Sequence, residues 1–245
     1  MDCRIIIPAR FASSRFPGKP LVPLLGRAMI LRVADIAAEA VGADRVHIAT
    51  DDACIAGAVR AAGYDAVMTG PALTGTDRVA EAAARLPPTA IVLNVQGDEP
   101  LLDPADIRRI AAAKAGRMEA VINGFCWLGA GENPADPALP KVVAAEDGRL
   151  LYMSRAPVPA VKDPASATPA YRKQVCIYAF TPGELAAFRA VGRKSALEQV
   201  EDIEILRCLE LGQQVQMVET APGSLAVDRP EDVAAVEEAM QARLG

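Results

Sequence analysis

The chain has 245 residues, with 26 Lys+Arg against 31 Asp+Glu and a formal net charge of −5. That length suits one domain, or one domain with a sizeable insertion, and can bury a substantial core. An acidic balance argues against bulk nucleic-acid binding, which needs a broad basic face, so a basic spot here points to one small anionic ligand.

The first strand-like run, Arg4–Pro8, spills into the loop "ARFASSRFPGKPL", which carries Arg10, Arg15 and Lys19 and no acid. An Ala-rich helical stretch, Met29–Val41, precedes a strand at Val46–Thr50 holding His47, the only histidine, which reads as a core residue. Helix Asp52–Ala62, strand Ala66–Met68, helix Asp77–Leu86, strand Ala90–Val95, helix Pro104–Ala115 and strand Val121–Trp127 follow. Short strands apolar on both faces, each followed by a helix, predict an α/β fold with a mostly parallel sheet covered on both sides. Right-handed crossovers then gather the strand C-termini on one edge, where ligands of open α/β sheets bind.

After about Val121 the pattern changes. "KVVAAEDGRLLYM" predicts a hairpin turning at Asp147-Gly148, and the Pro-rich Arg155–Lys173 stretch predicts a surface loop. "VCIYAF" resumes a strand, "SALEQVEDIEILRCLELG" predicts one amphipathic helix stopped by Gly212, and strand "QVQMVE" and helix Pro230–Leu244 close the chain. The expectation is a single domain over residues 1–245 with a β-rich insertion at about 121–180.

The five cysteines (Cys3, Cys54, Cys126, Cys176, Cys208) are scattered without CxxC spacing, which predicts reduced, mostly buried thiols. The N-terminal stretch lacks a signal-peptide core, and no apolar run reaches the roughly 18 residues of a membrane span, so a cytoplasmic location is expected.

Neither a GxxxxGK[ST] loop nor a GxGxxG turn follows the first strand, and "GAGENP" (Gly129 to Pro134) has the wrong third position. A triphosphate carries about four charges, so separate Lys/Arg contacts are a natural way to hold it. A solvated loop whose cations do nothing is the plain alternative. Its place at the sheet's C-terminal edge argues otherwise, because Ala90–Val95 delivers Gln96-Gly97-Asp98-Glu99-Pro100 to the same edge. A carboxylate there, facing a polyphosphate, suits Mg²⁺. Asp98 is not needed as a helix cap, since Asp103-Pro104 supplies a better one. Asp228, in "LAVDRPEDV", reads alone as an ordinary cap and, paired with Asp98, as a second metal ligand.

"PARFASSRFPGKPL", "ATDD", "GTDRVAEAA", "NVQGDEPLLDP", "SRAPVP", "IYAF", "LEQVEDIEILRCLELG" and "VDRPEDV" stand in the order and spacing of the CMP-Kdo synthetases, which this chain resembles over nearly its whole length. The family comprises 3-deoxy-manno-octulosonate cytidylyltransferases of lipopolysaccharide synthesis. The resemblance implies a nucleotidyltransferase (Rossmann-like) α/β fold whose β-rich insertion makes a homodimer contact. It implies transfer of CMP from CTP to the anomeric hydroxyl of a 3-deoxy-2-ulosonic acid, with release of pyrophosphate. Carried over, Arg10, Arg15 and Lys19 hold the phosphates, Asp98 and Asp228 hold Mg²⁺, and Pro8, Ala9, Thr76, Arg78 and Gln96 line the nucleotide site. Arg10, Lys19 and Asp98 are the expected catalytic residues. In-line attack on the α-phosphate needs positioning and charge neutralisation more than covalent catalysis.

The acceptor side departs from the family pattern. Where the family reads R-H-x-G-I-Y, this chain reads Lys173-Gln174-Val175-Cys176-Ile177-Tyr178, so Gln174 stands for the sugar-site His and Cys176 for Gly. Leu73 and Thr74 replace Q-S, and Ala196 replaces Pro. Arg155, Gln174, Tyr178, Glu198 and Gln199 are the acceptor-site candidates, with Lys173 a weaker one. Kdo is the expected acceptor; an amino-Kdo, another ulosonic acid or a phosphonate are the alternatives. A nucleotide-sugar glycosyltransferase is disfavoured because Asp98-Glu99-Pro100 supplies no D-x-D, and a non-catalytic nucleotide-binding protein because Lys19, Asp98 and Asp228 are all present.

Overall fold

Ile5, Ile6 and Ile7 are fully buried at the centre of the sheet in a computed structural model that describes residues 2–12, 16–163 and 169–244. Their strand, β1 (Cys3–Ala9), is followed by a small hairpin, β2 (Pro23–Leu24) and β3 (Arg27–Ala28), then α1 (Met29–Val41), β4 (Val46–Thr50), α2 (Ala53–Ala61) and β5 (Asp65–Met68). Next come α3 (Gly75–Ala83), β6 (Ile91–Val95), α4 (Pro104–Gly116), β7 (Val121–Trp127), β8 (Lys141–Ala144), β9 (Leu150–Ser154) and β10 (Arg172–Phe180). The chain ends with α5 (Pro182–Ala190), α6 (Ala196–Glu201), α7 (Ile205–Glu210), β11 (Val215–Glu219) and α8 (Asp232–Leu244). No described helix is long and apolar enough to cross a membrane.

The sheet runs β11-β7-β10-β6-β1-β4-β5, and β8 and β9 attach beside β10. Strands β6, β1, β4 and β5 are mutually parallel, as are β7 and β11, while β10 is antiparallel to both β6 and β7. The mostly parallel expectation therefore holds, with β10 the reversed strand of this seven-strand path. Of the stretch at 121–180, β7 and β10 belong to the main sheet, and β8–β9 form the expected hairpin with Gly148 at φ 83°.

Growth outward from β1 to β4 and β5 reverses when α3 carries the chain back to β6 on the other flank of β1. The reversal sets the C-terminal ends of β1 and β6 side by side, at the edge where ligands of open α/β sheets bind in a crevice, with the helices that follow them, α1 and α4, packed together on one face. Alternation along the strands then assigns the faces. Ile5, Ile7, Leu93 and Val95 pack with α1, α2 and α4, whereas Ile6 and Val92 pack with α3, α5 and α7. Each such fully buried branched side chain is worth about 1.5–3 kcal/mol. A third cluster, Leu24, Met29, Leu101, Val227, Val236 and Met240, seats α8 beside the crevice.

His47 is a core residue as expected, with Nδ1 2.7 Å from Asp65 Oδ2. Asp103 caps α4, its carboxylate accepting from Ala105 N at 2.7 Å, with Pro104 at the first helical position. The single helix expected from Ser195 to Gly212 is instead two, α6 and α7, broken at Asp202 in the left-handed region (φ 51°, ψ 46°). Asp tolerates that conformation better than most residues. The break turns Glu204 onto α3 while Arg207 still reaches back to Glu198, two contacts that carry the reason for it.

Candidate active site

The loops after β1 and β6 converge at the switch point. Pro8 and Ala9 are the buried last residues of β1, and Arg10 is exposed where the basic loop begins. Arg15 lies outside the described residues. Lys19 opens a short 3₁₀ turn after Gly18, whose φ of 72° suits glycine, and its ammonium turns into the crevice. There Lys19 Nζ lies 2.8 Å from Asp98 Oδ2, 3.5 Å from Asp228 Oδ1 and 2.8 Å from the Val227 carbonyl. Burial works against the ammonium, but Asp98 first and Asp228 next outweigh it and hold the Lys19 pKa above its ordinary value.

Asp228 is held by the chain on both sides. The Val227 amide donates to the Asp98 carbonyl at 2.9 Å, and the Asp228 amide donates to Asp232 Oδ2 at 2.8 Å. Asp228 lies four residues before α8, and its Oδ1 faces the Lys19 ammonium in the crevice. Glu99 ties three segments together at this point. It accepts from the Cys176 amide on β10 at 2.7 Å and from Ser224 Oγ at 2.6 Å, and burial pushes its carboxyl up against those donors.

Two carboxylates and a carbonyl already gather around one cation, the Lys19 ammonium. Their oxygens are the donor set a hard divalent cation takes. No group of three or more His, Cys, Asp or Glu converges among the described residues, so a cation here would complete its shell with substrate oxygens and water.

A polar patch lies beside this pair on the face of the sheet that packs α3 and α7. Asn94 Nδ2 donates to Thr76 Oγ1 at 2.9 Å, and Gln96 Nε2 donates to Asn94 Oδ1 at 3.2 Å. The first turn of α3 closes over Gln96: a Cβ on Gly75 would meet Gln96 Nε2 at 3.0 Å and Glu204 Oε1 at 3.3 Å. Glu204 accepts from the Gly75 and Thr76 amides at 3.0 and 2.8 Å, and burial holds its carboxyl above the ordinary value despite those donors. Antiparallel β10 enters the same edge by its N-terminal end. Gln174 Nε2 lies 2.9 Å from Asn123 Oδ1 and 3.1 Å from Tyr178 Oη, and burial raises the Tyr178 phenol well above its usual pKa.

Of the remaining candidates, Arg78, Glu198, Arg155 and Lys173 are tied by hydrogen bonds to the structure around this patch. Arg78 is buried and donates to Asp51 Oδ2 at 2.8 Å and to Thr69 Oγ1, bracing the ends of β4 and β5. Glu198 is buried with Arg207, which donates to it at 2.6 and 2.7 Å, and it also accepts from the Ser195 amide at 3.0 Å. Arg207 reaches on to Asp77 at 2.8 Å, so α3, α6 and α7 share one buried ion cluster. Arg155 donates to the carbonyls of Glu201, Asp202 and Pro137, and Gln199 is exposed on α6. Lys173 pairs with Glu132 and donates to the Ser224 carbonyl at 3.1 Å.

Sequence reasoning passed over Asn94, Asn123, Glu99 and Glu204. The two asparagines carried a signal, since an amide inside an otherwise apolar strand run must find a buried partner.

A cytidylyltransferase family model matches residues 4–217. The chain is 44% identical over 238 residues to a 3-deoxy-manno-octulosonate cytidylyltransferase of Anaeromyxobacter sp. (strain Fw109-5), covering 94% of this chain and 93% of that one. It is 42% identical over 251 residues to the protein of that name from Myxococcus xanthus (strain DK1622), covering 100% and 99%. Among solved structures, a CMP:2-keto-3-deoxy-manno-octonic acid synthetase complexed with CTP matches with a TM-score of 0.89 at 33% identity, over 99% of this chain and 100% of that one.

Proposed function

The chain belongs to the cytidylyltransferase family, a family of nucleotidyltransferase enzymes, and we propose that it transfers CMP from CTP to the anomeric hydroxyl of a 3-deoxy-2-ulosonic acid, with Kdo as the acceptor. The observation that carries the reading is Lys19 held between Asp98 and Asp228 where the sheet reverses, beside a polar patch. In the reaction the sugar oxygen attacks the α-phosphorus in line, the bond to the bridging oxygen breaks, and pyrophosphate leaves while the hydroxyl proton passes to solvent. Lys19 and Arg10 neutralise the triphosphate, with Arg15 assigned to the same task, and Pro8, Ala9 and Gln96 shape the nucleotide pocket.

Asp98 and Asp228 would hold Mg²⁺. Bound there, Mg²⁺ would screen the phosphates and lower the pKa of the attacking hydroxyl. A triphosphate arriving with such a cation offers both halves of the lysine–acid contact a new partner: phosphate oxygens for Lys19, the cation for the acids. Gln174 and Tyr178 line the acceptor end, and the Arg207 cluster with Glu198 and Asp77 fixes its walls.

A homodimer is supported by Leu151 on β9 and Leu197 and Val200 on α6, exposed apolar side chains on elements joined by Ser154 Oγ donating to Glu201 at 2.7 Å. A cytoplasmic location fits an enzyme that consumes CTP. A second reading keeps the donor and changes the acidic acceptor; it rests on Gln174 and Cys176, where the chain departs from the sequence pattern it otherwise resembles. Incubation with CTP, Mg²⁺ and Kdo should release pyrophosphate. No release with Kdo, but release with another acidic sugar or a phosphonate, selects the second reading.

A further inference from the structure

Asn123 is fully buried on β7, opposite the point where the register with β10 slips between Val175 and Tyr178. The slip turns two carbonyls toward it, Val175 O at 3.0 Å and Ile177 O at 2.9 Å from Nδ2. Carbonyl oxygens only accept, so the amide nitrogen must face them and Oδ1 must point the other way. Oδ1 meets Gln174, and only a donor satisfies it, which turns Gln174 Nε2 inward at 2.9 Å. The second hydrogen of that amide goes to Tyr178 Oη at 3.1 Å. Both donors of Gln174 are therefore engaged within the protein, and Oε1 is the polar atom that this half-buried side chain offers a ligand.

We infer that Gln174 reads the acceptor sugar as a hydrogen-bond acceptor, selecting a hydroxyl or another donor at that point, and that Asn123 is the positioning residue that sets this polarity. The inference rests on the acceptor reading of the site given above. A carboxylate facing Oε1 would meet a lone pair with no hydrogen between them, so the acid of the substrate is held elsewhere, toward the cations. The selection does not depend on protonation, because an amide does not titrate.

The test compares Kdo with analogues in which each hydroxyl other than the reacting anomeric one is replaced in turn by hydrogen or by fluorine, which fills much of the space but cannot donate. Rates are measured for the wild type, Gln174→Leu and Asn123→Ser. For one hydroxyl, both replacements should raise the wild-type acceptor KM about 3- to 10-fold, the value of one neutral hydrogen bond, with CTP KM within about twofold. Gln174→Leu should bring the penalty for that hydroxyl below about twofold, and Asn123→Ser should do the same with its thermal midpoint recorded as a check on folding. Gln174→Leu carries the test if the buried variant does not fold. A fluoro analogue used as well as the parent, or a penalty unchanged in Gln174→Leu, overturns the assignment, and full discrimination in folded Asn123→Ser removes the positioning role. Turnover without coupling defeats the inference alone, whereas no turnover by the wild type with any acidic acceptor defeats the functional reading and this inference together.

Discussion

Lys19 Nζ stands 2.8 Å from Asp98 Oδ2 and 3.5 Å from Asp228 Oδ1, so one ammonium joins carboxylates from the middle and the end of the chain. All three side chains are partly shielded, 14% exposed for Lys19 and 28% and 26% for the acids, where charge interactions exceed those of open water. Under the proposed function each of these groups would exchange its present contact for a substrate-borne partner of opposite charge.

Asp98→Asn should therefore reduce pyrophosphate release from CTP by at least about 100-fold, the scale of losing one preorganised charge, while the circular dichroism spectrum stays that of the wild type. Near-normal rates would remove Asp98 from the proposed metal site. In Lys19→Met the two acids lose their shared cation, and Mg²⁺ added without CTP should raise the thermal midpoint more than it does for the wild type.

Gly97 lets the Asp98 loop lie against β1. A Cβ at this position would meet Ile30 Cδ1 at 2.9 Å, the Pro8 carbonyl at 3.2 Å and Ile7 Cγ2 at 3.3 Å. Gly97→Ala should push Asp98 away from Lys19 and lower kcat by about 10- to 100-fold, since misplacement of about 1 Å at a reacting centre costs on that order. Steady-state kinetics with CTP varied checks it, and an unchanged kcat would show that the loop can yield without moving Asp98.

Arg207 is fully buried between Glu198 and Asp77, with its guanidinium 3.8 Å from the centre of the Phe188 ring. Burial disfavours its charge, yet Glu198 and Asp77 more than compensate and raise its pKa. Arg207→Met leaves two acids buried without their cation and should cost about 3–5 kcal/mol in urea denaturation. A loss under about 1 kcal/mol would mean that water reaches the cluster.

Burial raises the folded pKa of Glu204 above its ordinary 4.5. Below pH 4.5 the carboxyl is protonated folded or unfolded and its contribution to stability is complete; as pH rises through the raised value the folded state must carry a buried charge, and that contribution is lost. The stability of the wild type relative to Glu204→Gln should accordingly fall as pH rises above about 4.5, measured by urea denaturation at stepped pH. A difference that stays flat would place Glu204 in contact with water.

Much of this arrangement was legible in the chain itself. The apolar runs around Ile6 and Leu93, the Asp103-Pro104 cap, the Asp147-Gly148 turn and the placement of His47 in a strand all follow from local periodicity and turn chemistry. Two features resisted local reading. The run from Ser195 to Gly212 has helical periodicity throughout, and only the pull of Glu204 toward α3 and Arg207 toward Glu198 explains its break at Asp202. The direction of β10 was equally hidden, because alternation along a strand is the same whether its neighbour runs parallel or antiparallel.

By its own composition and order the sequence determined that three cations follow the first strand, that acids follow a later strand and precede the last helix, and that the strands between them build an α/β sheet. Which cation meets which acid was decided by the tertiary structure alone. The reversal between β1 and β6 brings Lys19 to Asp98, the Val227 amide on the Asp98 carbonyl brings Asp228 to both, and the slip in β10 turns Gln174 to face Asn123. These are matters of strand order, register and side-chain direction, set by contacts between residues far apart in the chain, which local sequence pattern does not encode.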